Sequence, residues 1–214
     1  MSKVNIEKKN NIFIVKLNDS IKGNALNSDS LNDHHLVLEE LESAKDNSAV
    51  IVTSTHPKSW CVGLDIEWIE SQSKLEFEKT FKYIEGIFSR WAMLPLPTIA
   101  CITGHCIAGG AVLASAMDFR VMRADRGWFA FTEIDVKIPL SPVLYEIANL
   151  LPNKKVLREL LLTGRRIGGL DAKNLGIVDE AITSNKLMQR VIEIGEELAK
   201  KDLETYRKIK YLLK

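Results

Sequence analysis

Cysteine is scarce. The 214 residues contain three, Cys61, Cys101 and Cys106. No CxxC or HxxxH pair occurs, so the roughly four regularly spaced ligands of a zinc site are missing and no metal is expected. Three thiols, two of them in apolar runs, fit buried cysteines in a reducing compartment better than a disulfide framework. Charge of one sign is lacking too. Lys plus Arg number 29 against 28 for Asp plus Glu, a net +1, so no global field favours nucleic acid or an anionic membrane. Apolar runs break well short of the roughly 20 residues of a membrane span. The opening MSKVNIEKKNN has no apolar signal core. The expectation is a cytoplasmic protein of one domain, or one domain with a small appendage, without a membrane or nucleic-acid partner.

What is present is alternation between strand and helix. Residues 3–9 and 12–17 alternate in polarity and predict a hairpin. Residues 29–46 place Leu31, His35, Leu38 and Leu41 at helical spacing. AVIVTST (49–55), PTIACITG (97–104) and DFRVMRAD (118–125) read as strands, with helices over about 75–92 and from Gly109 to Met117. That order is the pattern of parallel strands joined by crossover helices. Past residue 141 the chain reads as mostly helical, with Asp171 as an N-cap and one amphipathic helix over 186–214. The fold class is α/β: a core over 1–140 and a helical C-terminal region over 141–214.

Gly109-Gly110 interrupts the apolar stretch CITGHCIAGGAVLASAMDFR. It follows a strand ending at Gly104 and a short loop, and it opens a helix. Parallel α/β sheets bind ligands at such places, where unpaired N–H groups and the helix dipole face outward. The Lys-Ser/Thr of a P-loop is absent, as is dinucleotide glycine spacing. These residues leave two readings open, close helix–sheet packing or a site for a polarised carbonyl oxygen. SWCVGLDIEWI (59–69) also follows a buried strand and turns at Gly63. Two such turns can offer one N–H each to one oxygen.

These segments, with KGNALNSDSL, FTEIDVKI and LLTGRRIGGLDAKNLGIVDEAI in that order, resemble the crotonase superfamily, also called the enoyl-CoA hydratase/isomerase family, over about residues 4–200. The stretches GHCIAGGAVLASAMDFRVMRADRGWF and FTEIDVKIPL look most like its enoyl-CoA delta-isomerase branch. The resemblance implies a spiral of ββα units and a homotrimer or dimer of trimers. It implies an acyl-CoA thioester as substrate, with no cofactor beyond the coenzyme A the substrate carries. The chain ends at RKIKYLLK, where many members continue with helices that cover the acyl pocket and build the trimer. A fold short of those helices is therefore expected.

By the same resemblance, the N–H groups of Leu64 and Gly109 form the oxyanion hole. Gly63 and Gly110 keep the backbone approach open, and Ala25, Lys58 and Leu64 lie along the coenzyme A path. The family's hydratases use two glutamates to handle water. One position is occupied by Glu133; the other is Val112, which exchanges no proton. A single base suits moving a double bond, with Glu133 taking a proton from C2 and returning it to C4. Apolar neighbours Phe131, Ile134, Val136 and Ile138 would raise its proton affinity if they surround it. Asp135, on the same face if the segment is a strand, and His105 are secondary acid–base candidates. The four tryptophans are candidates for an acyl tunnel. Another acyl-CoA reaction (hydration, decarboxylation, thioester hydrolysis) and a non-catalytic acyl-CoA-binding protein are the alternatives.

Overall fold

The computed structural model describes residues 2–214. The predicted hairpin forms, with β1 (Val4–Lys9) antiparallel to β2 (Ile12–Leu17). Helix α1 (Ser28–Glu42) starts at a capping box, in which Asn27 accepts from Ser30 N–H and the Ser30 hydroxyl accepts from Asn27 N–H. Its buried face carries Leu31, His34, Val37, Leu38 and Leu41. His34 therefore takes the inward position expected for His35, because the stripe winds with 3.6 residues per turn. Trp91 Nε1–H donates to His34 Nδ1 at 3.2 Å, and burial lowers the His34 pKa to about 4, so its ring stays neutral.

Strands β3 (Ala49–Ser54) and β4 (Ser59–Cys61) follow, then α2 (Ile66–Glu70) and α3 (Lys74–Met93). Strand β5 (Thr98–Ile102) ends two residues earlier than the sequence suggests. The expected loop after it is a strand, β6 (His105–Ile107), which leads into α4 (Gly109–Ala116). Next come β7 (Phe119–Arg123), β8 (Phe129–Ala130), α5 (Glu133–Val136), α6 (Pro142–Ala148), α7 (Lys154–Thr163) and α8 (Gly169–Asn174). The chain closes with β9 (Glu180–Ile182), α9 (Ser184–Ala199) and α10 (Leu203–Leu213). Gly168, not Asp171, occupies the N-cap of α8, and Asp171 falls in its first turn, where a carboxylate also favours the helix dipole. The predicted helix over 186–214 is two helices, because Asp202 caps a new N-terminus by accepting from Thr205 N–H at 2.9 Å.

Two sheets result. The larger has the order β1-β2-β3-β5-β7-β9, parallel except for the first pair. Helix α9 covers one face, where Leu187 and Val191 pack with Ile14, Ile51, Ile99 and Val121. The main core, containing α1, α3, α4 and α6, fills the other side. The second sheet, β4-β6-β8, is small and wholly parallel. Among the described residues, no helix is long and apolar enough to cross a membrane.

Helix α10 is held by charge as well as packing. The Asp118 carboxylate accepts from Lys210 Nζ at 2.8 Å and from Tyr206 Oη at 3.0 Å, and Lys214 Nζ lies 3.5 Å away. Lys210 Nζ also donates to Leu96 O. Burial pushes the Lys210 pKa down and Asp118 opposes that shift. Removing the carboxylate strands buried cations, which typically costs about 3–5 kcal/mol. Asp118→Ala is expected to lower the urea unfolding midpoint accordingly; an unchanged midpoint would show that the latch carries no net stability.

Candidate active site

The small sheet places the site. Its three parallel strands end side by side, β4 before Gly63-Leu64, β6 before Gly109 and β8 before Glu133. Ligand sites favour the carboxyl ends of parallel strands. The strands are tied at that end, since Ala108 N–H donates to Ala130 O at 2.9 Å. The turn that carries Gly109 is thereby fixed to the strand that leads to Glu133.

Leu64 is oriented by a bridge to the KGNALN segment. Leu26 N–H donates to Gly63 O at 2.7 Å and Asp65 N–H donates to Leu26 O at 2.9 Å. This parallel pattern uses the amides on either side of Leu64 and points its own N–H away from Leu26. Asp65 caps α2, accepting from Trp68 N–H, and pairs with Lys22 at 2.8 Å. Asn24 braces the same segment, its side-chain amide donating to Ser54 Oγ and Trp60 O. Gly109 is the first residue of α4, so its N–H lacks an intrahelical acceptor. Ala108 before it holds φ 50° and ψ −128°, a conformation costing about 1–3 kcal/mol for a residue with a Cβ, and this kink turns the helix start towards the Leu64 turn. Among the described residues, neither N–H donates to a turn or loop carbonyl. A Cβ on Gly109 would lie 3.8 Å from Leu64 N, and one on Gly63 would lie 2.8 Å from Gly109 N. The two amides are close neighbours, and Gly63, at φ 84°, is the residue that permits it.

Both amides border a cavity of about 90 Å³ that Glu133 also lines. Val136 and Ile138, in and just after α5, line it too, and Phe81, Ile84 and Phe88 of α3 form a further part of its wall. Glu133 Oε2 is buried without a hydrogen-bond partner. Burial raises the Glu133 pKa to about 7, opposed only by its own backbone N–H. Phe131 lies beneath in the core, edge-on to Phe129 at 5.8 Å, while Ile134 points outward and is half exposed. The apolar surround is therefore real, but Phe81, Ile84 and Leu140 replace Phe131 and Ile134 in it.

The other expected residues lie elsewhere. Gly110 faces the core, and a Cβ there would meet Cys61 O at 2.2 Å. Its task is close packing of α4 on β4, not an open approach for substrate. Lys58 is exposed at the start of the small sheet and Ala25 is buried in the bracing segment; neither lines the cavity. Asp135 does not share a strand face with Glu133, because the segment is the short helix α5, ended by Lys137 at φ 58°. The Asp135 carboxylate sits against Gly164. His105 is on β6, outside the cavity lining, and burial, then Arg126, Arg166 and Lys58, push its pKa down. Cys61 and Cys106 are buried thiols with raised pKa values, Cys61 at about 12, unsuited to nucleophilic attack. None of the tryptophans lines the cavity. Trp60 and Trp91 are core, and Trp128 is half exposed. The α3 wall was the feature missed from sequence, although Phe81, Ile84 and Phe88 recur at helical spacing.

Among the described residues no group of three or more His, Cys, Asp or Glu side chains is placed to hold a metal ion. Val112, which the resemblance sets in place of a hydratase's second glutamate, is wholly buried in α4, packed in the main core and outside the cavity lining.

Known proteins share this architecture. The structure superposes on an enoyl-CoA hydratase/carnithine racemase from Magnetospirillum magneticum with a TM-score of 0.91 and 22% identity, over 100% of this chain and 80% of that one. In sequence the chain is 27% identical to enoyl-CoA delta isomerase 3 of Arabidopsis thaliana over 202 residues, 92% of this chain and 84% of the relative. It is 29% identical to a putative enoyl-CoA hydratase of Thermus thermophilus over 208 residues, 96% and 81% of the two chains. The sequence pattern of the family described as enoyl-CoA hydratase/isomerase matches residues 7–214. With that match spanning nearly the whole chain, the protein belongs to the enoyl-CoA hydratase/isomerase family.

Proposed function

We propose that the protein is an enoyl-CoA isomerase that moves the double bond of a 3-enoyl-CoA to the trans-2 position. One observation carries this reading: among the residues lining the cavity, Glu133 is the only ionisable one. Addition of water in this family's manner calls for two carboxylates, and Val112 supplies none.

The thioester oxygen accepts from Leu64 N–H and Gly109 N–H. Each such donor is worth about 3–4 kcal/mol to a developing oxyanion. Glu133 takes the proton from C2, and the C–H electron pair spreads over a dienolate from the oxygen to C4. The protonated Glu133 then gives the proton to C4, leaving the double bond between C2 and C3. The elevated pKa makes Glu133 a stronger base than an exposed glutamate, and its missing hydrogen bond leaves the carboxylate free to meet C2. The reading needs no cofactor, because coenzyme A belongs to the substrate. The Arabidopsis delta isomerase relative supports it.

Purified protein given 3-hexenoyl-CoA is expected to produce conjugated-enoyl absorbance, and given 2-hexenoyl-CoA to leave that absorbance unchanged. Loss of absorbance from the second substrate would replace the isomerase reading with a hydratase. Glu133 must be ionised to act, so kcat/KM is expected to rise with pH to a plateau, with its midpoint near the Glu133 pKa of about 7. A profile flat from pH 5 to 9 would remove Glu133 from the proton-transfer step.

A further inference from the structure

The cavity has a floor, and the floor is part of the packed interior. Ile84 and Phe88 of α3 are 1% and 0% exposed and Leu144 of α6 is 5% exposed; all three belong to the main hydrophobic core. Phe81, one turn before Ile84, is partly buried against the same core. Interiors of this kind are close-packed and yield little to an inserted group. The available space is also small. An apolar cavity of about 150 Å³ holds the six carbons of benzene, so a cavity of about 90 Å³ takes proportionally three to four. Leu64, Gly109, Glu133 and the α3 residues all line that one small space. The carbons taking part in the reaction occupy most of it.

We propose that the protein is selective for short acyl chains, with about four carbons inside the cavity and up to about six when the chain end lies at its rim, and that Ile84 and Phe88 with Leu144 set the limit. The inference rests on the acyl-CoA reading of the site for its ligand, and on the cavity's volume and buried lining for its length. A longer tail has three courses. It displaces side chains of the packed core, it turns back over the rim at Ile66 and Val136, or it runs past Pro139 and Leu140 along an open groove with Ile134, Tyr145 and Leu162, all partly exposed to water. None buries the tail fully, so none gives the roughly fourfold gain in affinity that each buried methylene contributes elsewhere.

The test uses two measurements on the intact protein. Binding of butyryl-, hexanoyl-, octanoyl- and decanoyl-CoA is followed by calorimetry, which needs no turnover. Affinity is expected to level off or fall beyond hexanoyl. Decanoyl-CoA binding tenfold or more tighter than hexanoyl-CoA would overturn the proposal. In parallel, kcat/KM is measured on 3-enoyl-CoAs of the same lengths, with a drop of about tenfold or more expected from six to ten carbons, the size of an overpacking penalty. Equal turnover at all lengths would overturn the length limit and leave the isomerase reading standing. No turnover at any length, with the short-chain binding profile intact, would overturn the isomerase reading and leave the length limit standing. Ile84→Ala is expected to shift both optima towards octanoyl, and Phe88→Leu is a milder change at the same wall should the first variant fail to fold. A folded Ile84→Ala variant with unchanged chain-length preference would remove Ile84 from the floor.

Discussion

Glu133→Gln is expected to cut kcat on a 3-enoyl-CoA by about 10²–10⁴-fold, the usual contribution of a positioned general base, and to make the protein more stable above pH 7. The two effects share a cause. The unfolded chain releases the Glu133 proton near pH 4.5, whereas the folded protein holds it to about pH 7 because burial disfavours the charge. Between those values the folded state binds more protons than the unfolded state, so the group's contribution to stability falls as pH rises, and the full cost is present above pH 7. At about 1.4 kcal/mol per pKa unit, the neutral amide should recover roughly 1–3 kcal/mol at pH 8 and almost nothing at pH 4. A purely structural carboxylate predicts loss of stability and retained activity. Thermal melts at the two pH values, with turnover assayed on the same samples, separate these outcomes.

Gly63→Ala is expected to lower kcat/KM by about 10²–10³-fold, comparable to losing one oxyanion donor, although Gly63 is not among the residues lining the cavity. The new Cβ would lie 2.8 Å from Gly109 N and from Ala108 Cβ, so the two turns must separate. Gly63 also sits at φ 84°, outside the comfortable range of an L-residue. Strain and overpacking together should cost about 2–4 kcal/mol of stability. The distinguishing sign is in the kinetics. Loss of an interaction made only in the transition state lowers kcat, whereas a blocked binding path raises KM. A variant that folds and retains wild-type kcat would mean that Leu64 and Gly109 do not act as a pair.

The long elements were legible because their physics is local. The hairpin followed from alternation around Asn10-Asn11, and α3 from helical spacing, with Ser73 and Glu76 forming its capping box. The glycine pair at Gly109-Gly110 pointed to a strand end and a helix start, which is where the site stands. The small sheet was not legible: β4, β6 and β8 have three, three and two residues, too few for a period to show. Residues 131–138 alternate like a strand, yet they form a four-residue helix because Lys137 adopts a left-handed conformation and closes the turn onto Glu133 O. Sequence reasoning placed Gly110 beside the substrate for want of one fact, the Cys61 carbonyl packed against it from a strand 49 residues earlier. The α3 wall escaped because an apolar helical stripe reads the same whether it meets core or cavity.

The most direct test of the single-carboxylate account is the fate of the C2 hydrogen. Purified protein is given 3-hexenoyl-CoA deuterated at C2, in ordinary water and over one turnover, and the product is examined by mass spectrometry. A 2-enoyl isomer carrying deuterium at C4 is the predicted result, because Glu133 takes and returns the same proton in an apolar cavity. A 3-hydroxyacyl product, heavier by one molecule of water, would contradict it.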